Sequence, residues 1–485
     1  MSLPALVNAQ DDKEESVDHV ELHQTSDETG NSKVDYRFYA VEKKRLSRKI
    51  DLRLIPILSL IYSFSVIDRI NIGQAKVVGM TEDLSMTSAS AYSICLLVFF
   101  PAYMLAELPG NMALVKFGVA NALAFIMLGL GVSTIAQGHV QHWSILAVCR
   151  VLVGAFEATV FPAMIYLVSS WYVRYEAHRK LAWMYSIGII SSAFAGVLAY
   201  ALALLDGKSG WRGWRWIFTV EGSITAAFAV PTWLLVVDFP DRAKFLSPRQ
   251  RQIKMEELTS DRGDSVTYQI TWENIKDLKD WTIWLVTFMY MCNVTMVYGL
   301  AFFVPTILTS MGYTGLQANL HSAPPYAVAA GVLWVGSYIA DKTKRRLPLI
   351  IVQTCLAILG LALMSQNEIS AKARYAGICF AIAGAQANNS AILIFGQNNI
   401  VGSSKSSVAT VLNIAGGTIG GLLGSTIYLQ REAPDYITGL SVTMALAACL
   451  VLSCAAVWPV LAKYNSAADR GEVVFHDLPA WRWTL

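Results

Sequence analysis

Apolar residues along this chain gather into twelve runs, near 54–73, 90–111, 119–137, 143–171, 181–204, 215–237, 283–309, 322–340, 347–365, 375–397, 407–429 and 438–462. Each is about the 20 residues that a helix needs to cross a bilayer core of about 30 Å. One long polar stretch, 238–282, divides them six and six, and in it Arg242, Lys244, Arg249, Arg251, Lys254, Glu256, Glu257 and Asp261 crowd together. The pattern predicts an all-α, polytopic membrane protein of twelve transmembrane helices in two six-helix halves. The boundaries it predicts are a disordered cytosolic tail over 1–50, an N-terminal half over 51–237, a cytosolic linker over 238–282, a C-terminal half over 283–464 and a cytosolic tail over 465–485.

Composition narrows the class. Of 485 residues, 54% are hydrophobic and 15% charged, against about a quarter charged in a soluble protein. A net charge of +3 spread along the chain gives no reason to expect nucleic acid as a partner. The seven cysteines all fall in apolar segments without a CxxC pair, so they read as small core hydrophobes, with no disulfide framework and no metal site. Residues 1–50 hold no apolar run, so no secretory signal is expected there.

Orientation follows from Lys and Arg in short loops. Lys43, Lys44, Arg45, Arg48 and Lys49 precede the first run, Arg174, Arg179 and Lys180 follow the fourth, and Lys342, Lys344, Arg345 and Arg346 follow the eighth. All fall on one side if every run crosses, which predicts both termini cytosolic. Trp211, Trp214 and Trp216 on the other side suggest an aromatic belt.

The stretch Val66 to Gly73, "VIDRINIG", breaks the first run. Arg53 is the nearest charge before it, and the fourteen residues between, Leu54 to Ile67, span about 21 Å as a helix. Asp68 and Arg69 therefore lie within hydrocarbon depth, where charge is expensive unless it faces a cavity or a partner. Neighbours on a helix point about 100° apart, so each needs its own partner. The plainer alternative is an interfacial pair that snorkels. Arg150 and Glu157 in the fourth run share one face, two turns or about 10.5 Å apart. They are too far apart to touch, but could bracket a site or meet Asp68 and Arg69 across the helix gap.

"DRINIGQAKVVGMTEDL" from Asp68, "ELPGNMALVKFG" from Glu107, "CRVLVGAFEATVFPAMIYLVSSWY" from Cys149, "WRWIFTVEG" from Trp214, "DFPDRAKFLS" from Asp238 and "DKTKRR" from Asp341, together with the six-plus-six layout, resemble the major facilitator superfamily. The chain is most similar to its anion:cation symporter branch, in the fungal group of allantoate, nicotinate, biotin and pantothenate permeases. The resemblance implies proton-linked transport of a small organic anion by alternating access. It implies proton coupling at Asp68 and Glu157, an anion-facing Arg69, and Arg150 as a tuning or second anion-facing charge. Arg150 has a structural alternative in the superfamily's RxxxG pattern (Arg150, Gly154). The resemblance also makes Asp341, Lys342, Arg345 and Arg346 a cytosolic gate. A positive-inside anchor is the bland reading of the same residues, and Val115 stands where a first-half gate acid would be. Glu107 reads as a helix cap or a member of a gate salt bridge.

Buried amides in the later runs, Asn293, Gln386, Asn388 and Asn389, are candidates for reading substrate, with helix-to-helix hydrogen bonding as the alternative. Gly416, Gly417, Gly420, Gly421 and Gly424 make a small-residue packing face. The expectation is a plasma-membrane, proton-coupled importer that works as a monomer, with the proton as coupling ion and no other cofactor, and with an anionic small molecule and the bilayer as partners. No catalytic constellation points to an enzyme. Export of a secondary metabolite, or a sensor without flux, are the competing readings.

Overall fold

Helix is the form these runs must take, because a backbone in hydrocarbon has to satisfy its own N–H and C=O groups. The computed structural model describes residues 32–86, 90–237, 239–240, 243, 245–262, 280–366, 368–400, 403–433, 435–473 and 482–484. Among them there is no strand. Twelve helices among the described residues are long and apolar enough to cross: Arg45–Asp83, Ala91–Leu114, Val119–His139, Trp143–Trp171, Arg179–Ala203, Gly213–Leu235, Trp281–Ser310, Gly315–Thr343, Leu347–Ser365, Ala371–Asn399, Val408–Thr426 and Ile437–Asp469. They are called here the first to twelfth spans. The bundle is apolar outside as well as inside, with Leu105 78%, Phe125 66% and Leu452 66% exposed, as a lipid-facing surface requires.

The chain divides into two units, Met1–Arg48 and Lys49–Leu485. In the first, the tail expected to be disordered is helical from Ser32 onward, while 1–31 lie outside the described residues. A segment such as "VEKKRLSRKI" is made largely of good helix formers. In the linker, Pro248–Arg262 is a helix, and Arg242, Lys244 and 263–279 lie outside the described residues. Asp280 caps the seventh span, accepting from the Thr282 N–H at 3.1 Å and lying 3.4 Å from the Lys405 ammonium.

Glycines set how closely the spans cross. A Cβ on Gly222 of the sixth span would meet the Ile135 nitrogen of the third at 2.6 Å, and one on Gly131 would meet the Ala226 nitrogen at 2.3 Å. Gly416, Gly420 and Gly424 lie against the Thr287, Met291 and Thr295 carbonyls of the seventh span, so the glycine face of the eleventh span is a packing seam. Close contact between small residues and backbone replaces the hydrophobic drive that is missing in lipid.

The ends of the bundle differ. At the end away from the linker, the first span passes through a π-turn at Lys76–Met80, where Gly79 has φ +93°. There the halves interlock. The Lys76 ammonium donates to the Tyr436 hydroxyl at 2.8 Å and lies over the Tyr92 ring. Asn319 donates to the Gln74 carbonyl at 3.3 Å.

Two expectations are corrected. Trp214 is fully buried and donates to Asp83 at 3.0 Å, so it pins the end of the first span and does not belong to a belt. Cys355 and Cys449 are exposed on the bundle surface, whereas Cys95, Cys149, Cys292 and Cys454 are buried as expected.

Candidate functional site

A cavity opens between the two halves at mid-depth. The first, second, fourth and fifth spans line it with Tyr62, Arg69, Phe99, Tyr103, Phe161 and Tyr185, and the seventh, eighth, tenth and eleventh with Tyr290, Tyr298, Tyr326, Gln386, Asn389 and Thr418. Among the described residues, Arg69 is the one charged side chain on its wall. A single cation in an aromatic, weakly polar cavity suits one anionic group on an otherwise apolar molecule.

Arg69 is held from behind. Its Nε donates to Glu157 Oε1 at 2.7 Å, its Nη2 reaches the same oxygen, and its Nη1 donates to the Tyr298 hydroxyl across the divide between halves. Ser65 donates to Glu157 Oε1 as well, at 2.6 Å. The helical hydrogen-bond pattern of the fourth span is interrupted directly after Glu157, at Ala158 and Thr159, and resumes at Val160. Its second oxygen, Oε2, has no hydrogen-bond partner.

Asp68 points the other way, as adjacent helical residues must. It is completely buried, is absent from the cavity wall, and neither oxygen has a hydrogen bond in good geometry. The Thr225 hydroxyl of the sixth span and the charges of Glu157 and Arg150 face it. Arg150 does not reach the cavity, which corrects its expected anion-facing role. It is 2% exposed and donates to Asn71 Oδ1 at 3.1 Å and to the Arg69 carbonyl at 3.4 Å. Its position on the fourth span puts it a full two turns from Glu157, level with the segment of the first span that follows Arg69.

The four amides divide. Gln386 and Asn389 are on the cavity wall, and Gln386 accepts from the Tyr185 hydroxyl at 3.1 Å. Asn293 stands one layer back, donating to Asn389 Oδ1 at 3.3 Å and to the Ala385 carbonyl at 3.1 Å. Asn388 turns to the ninth span and donates to Thr354 at 2.8 Å. Asn293 and Asn388 therefore correct the expectation of substrate contact: the first positions Asn389, and the second holds two helices together.

Of the expected gate residues, Asp341 accepts from Arg346 at 3.1 Å. Lys342 and Arg345 are exposed on the same turn. Glu107 makes no ion pair among the described residues and does not line the cavity, so a gate salt bridge is not formed there.

Two features of the site lie outside the residues that the sequence singles out. One is the tyrosine-rich wall, since aromatic residues are common in membrane spans and nothing in their spacing marks these six. The other is Glu221 in the sixth span, 2% exposed, with both oxygens unpartnered and with Asp68 and the Asn71 amide facing it. A charge inside the apolar run 215–237 was a signal of the same kind that singled out Asp68.

Comparison with known proteins bears on this arrangement. A family model of the Major Facilitator Superfamily matches residues 58–425. An MFS-type transporter of Penicillium expansum, cnsO, is 31% identical over 417 residues, 83% of this chain and 80% of that one. The high-affinity nicotinic acid transporter of Saccharomyces cerevisiae is 28% identical over 412 residues, 83% of this chain and 75% of that one. Among solved structures, a bacterial homologue of the human lysosomal transporter Spinster, inward-facing and occupied, aligns with a TM-score of 0.64 at 18% identity, over 83% of this chain and 94% of that one. A D-xylose–proton symporter aligns at 0.62 and 11% identity, over 83% and 97%.

Proposed function

The chain belongs to the major facilitator superfamily, and on that premise we propose that it is a proton-coupled importer of a small organic anion, with Arg69 as the anion's ligand. One observation carries this reading: the one cation that the described residues place on the cavity wall is bonded to a buried carboxylate, Glu157. An incoming anion and Glu157 compete for one guanidinium. A proton from the aqueous side, added to a Glu157 oxygen, removes the competing charge and leaves Arg69 for the anion. The fully loaded and fully empty forms then carry the same charge, and these are the forms that can be buried cheaply while the halves rock. Asp68 serves as a further proton site, Gln386 and Asn389 hydrogen-bond the bound molecule, and the Asp341–Arg346 loop belongs to the gate. The protein acts as a monomer in the plasma membrane with both termini cytosolic.

Kinship with a nicotinic acid transporter supports a carboxylate as cargo. Uptake of labelled nicotinate, biotin, pantothenate, allantoate and dicarboxylates, at two external pH values in cells lacking their own permeases, tests the reading. Faster uptake of one of them at acidic pH is the expected result. A second reading, export of a larger apolar anion, draws on the phenylalanines of the wall, Phe99, Phe100 and Phe161. Its signature is no pH-dependent uptake of any panel member, with whole-cell accumulation rising on deletion.

A further inference from the structure

We propose that Lys76 is the anion's first contact on the way in: a second cationic site, outside Arg69, sheathed while the end away from the linker is closed and bare when that end opens. The proposal rests on the importer reading for the direction of travel. Its evidence is a repeat of geometry.

Arg69 lies over two rings, Phe99 of the second span at 5.9 Å and Tyr298 of the seventh at 5.7 Å, and donates to the Tyr298 hydroxyl of the other half. Lys76 lies over Tyr92 of the second span at 4.3 Å and Phe303 of the seventh at 5.6 Å. It too donates to a hydroxyl of the other half, that of Tyr436, at 2.8 Å. The steps correspond. Seven residues along the first span separate Lys76 from Arg69, seven along the second separate Tyr92 from Phe99, and five along the seventh separate Phe303 from Tyr298. The first span is regular helix through Ala75, and seven residues return a helix to within about 20° of the same face while moving about 10.5 Å along its axis. The two cations therefore stand one behind the other. Successive spans run in opposite directions, so the rising numbers of the first and seventh spans and the falling numbers of the second all lead from the cavity to the end away from the linker.

The parts of the outer copy suit a carboxylate. Ring faces attract a cation without neutralising it, so the ammonium keeps its charge for an incoming anion. Tyr92 belongs to the same half as Lys76, whereas Phe303 and Tyr436 belong to the other. When the halves part at that end, those two rings leave with their half and the ammonium stays with Tyr92. The Tyr92 hydroxyl is buried and has no hydrogen-bond partner among the described residues, so ammonium and phenol can both donate to one carboxylate. Both sides of the clasp are irregular backbone. Lys76 opens the π-turn of the first span, and Tyr436 holds φ +49° just before the twelfth, a left-handed conformation that is costly for a residue with a Cβ. Departures of this kind gather at binding and switch regions.

Charge-selective labelling of the purified full-length protein in lipid nanodiscs tests this. Val78→Cys places a thiol two residues beyond Lys76. Its rates with a sulfonate-bearing and a trimethylammonium-bearing methanethiosulfonate are each divided by the rate with free cysteine. The anionic reagent is expected to lead severalfold; Lys76→Met should abolish that preference and Lys76→Arg should keep it. Loosening of the clasp alone speeds both reagents together, so a ratio unmoved by Lys76→Met overturns the proposal and leaves Lys76 a structural contact. A thiol that neither reagent reaches overturns it as well, because that end must open to admit an anion. For any member of the carboxylate panel that is taken up, Lys76→Met should lower kcat/KM about tenfold, as loss of one charge-assisted bond implies, and Lys76→Arg should restore it. An unchanged kcat/KM also overturns the proposal. Failure of the whole panel would sink the importer reading, while the labelling ratio still decides whether Lys76 is an anion site.

Discussion

Arg69 of the first span and Glu157 of the fourth form a buried ion pair in which Nε and Nη2 of one guanidinium converge on a single carboxylate oxygen, leaving Glu157 Oε2 without a partner. The pair is thus incomplete on the acid's side and opens onto the cavity on the base's side.

Removing one partner of such a pair strands the other charge. Arg69→Ala should abolish uptake and lower stability by about 3–5 kcal/mol, the usual cost of an uncompensated buried charge. Arg69→Ala with Glu157→Gln should recover part of that stability while uptake stays absent. Thermal unfolding in detergent gives the first quantity and labelled uptake the second.

Glu157→Gln alone removes the competitor for Arg69. The anion should then bind as well at neutral as at acidic pH, while accumulation against a gradient disappears. Equilibrium binding measured at two pH values checks this, and binding that still strengthens on acidification would count against Glu157 as the coupling acid.

Neighbouring amides should behave differently. Asn388→Ala leaves the Thr354 hydroxyl without its 2.8 Å donor and should cost about 1–3 kcal/mol of stability with KM unchanged. Asn389→Ala, on the cavity wall, should raise KM severalfold at nearly constant stability. Uptake kinetics beside melting curves separate the two.

The far end of the bundle should open when its packing is disturbed. A Cβ on Gly315 would meet the Val77 carbonyl oxygen at 1.9 Å, so Gly315→Ala should shift the population away from the form closed at that end. Reactivity of cysteines placed near Lys76 and Tyr436 with a water-soluble thiol reagent reports the shift.

Acid should weaken the cap of the seventh span. Burial pushes the Asp280 carboxyl up, but bonds from the Thr282 hydroxyl and N–H and the charge of Lys405 outweigh it and hold the group below its ordinary value. A depressed folded value means that its stabilisation is complete above the unfolded value and is lost as pH falls through the folded one. Melting temperature should therefore fall less steeply on acidification in Asp280→Asn than in wild type, the asparagine still capping the helix.

Much of this was legible from residues alone. Twelve apolar runs gave twelve spans because apolar length is one-dimensional information, and a bilayer reads it directly. Asp68, Arg69, Arg150 and Glu157 stood out for the same reason: a charge at hydrocarbon depth is costly wherever the helix later faces. The 100° between Asp68 and Arg69 already implied separate partners.

Which partners, however, was decided by how the helices are rotated and how closely they cross. Glu157 meets Arg69 while Arg150 turns to Asn71, and Asn389 reaches the cavity while Asn388 faces Thr354. Those outcomes depend on close crossings such as that of Gly384 in the tenth span against the Gln353 carbonyl of the ninth, made between residues distant in the chain. Periodicity fixes angles within one helix and is silent about the helix beside it. Depth in the membrane was therefore written in the sequence, and the direction each buried charge faces was settled only by tertiary packing.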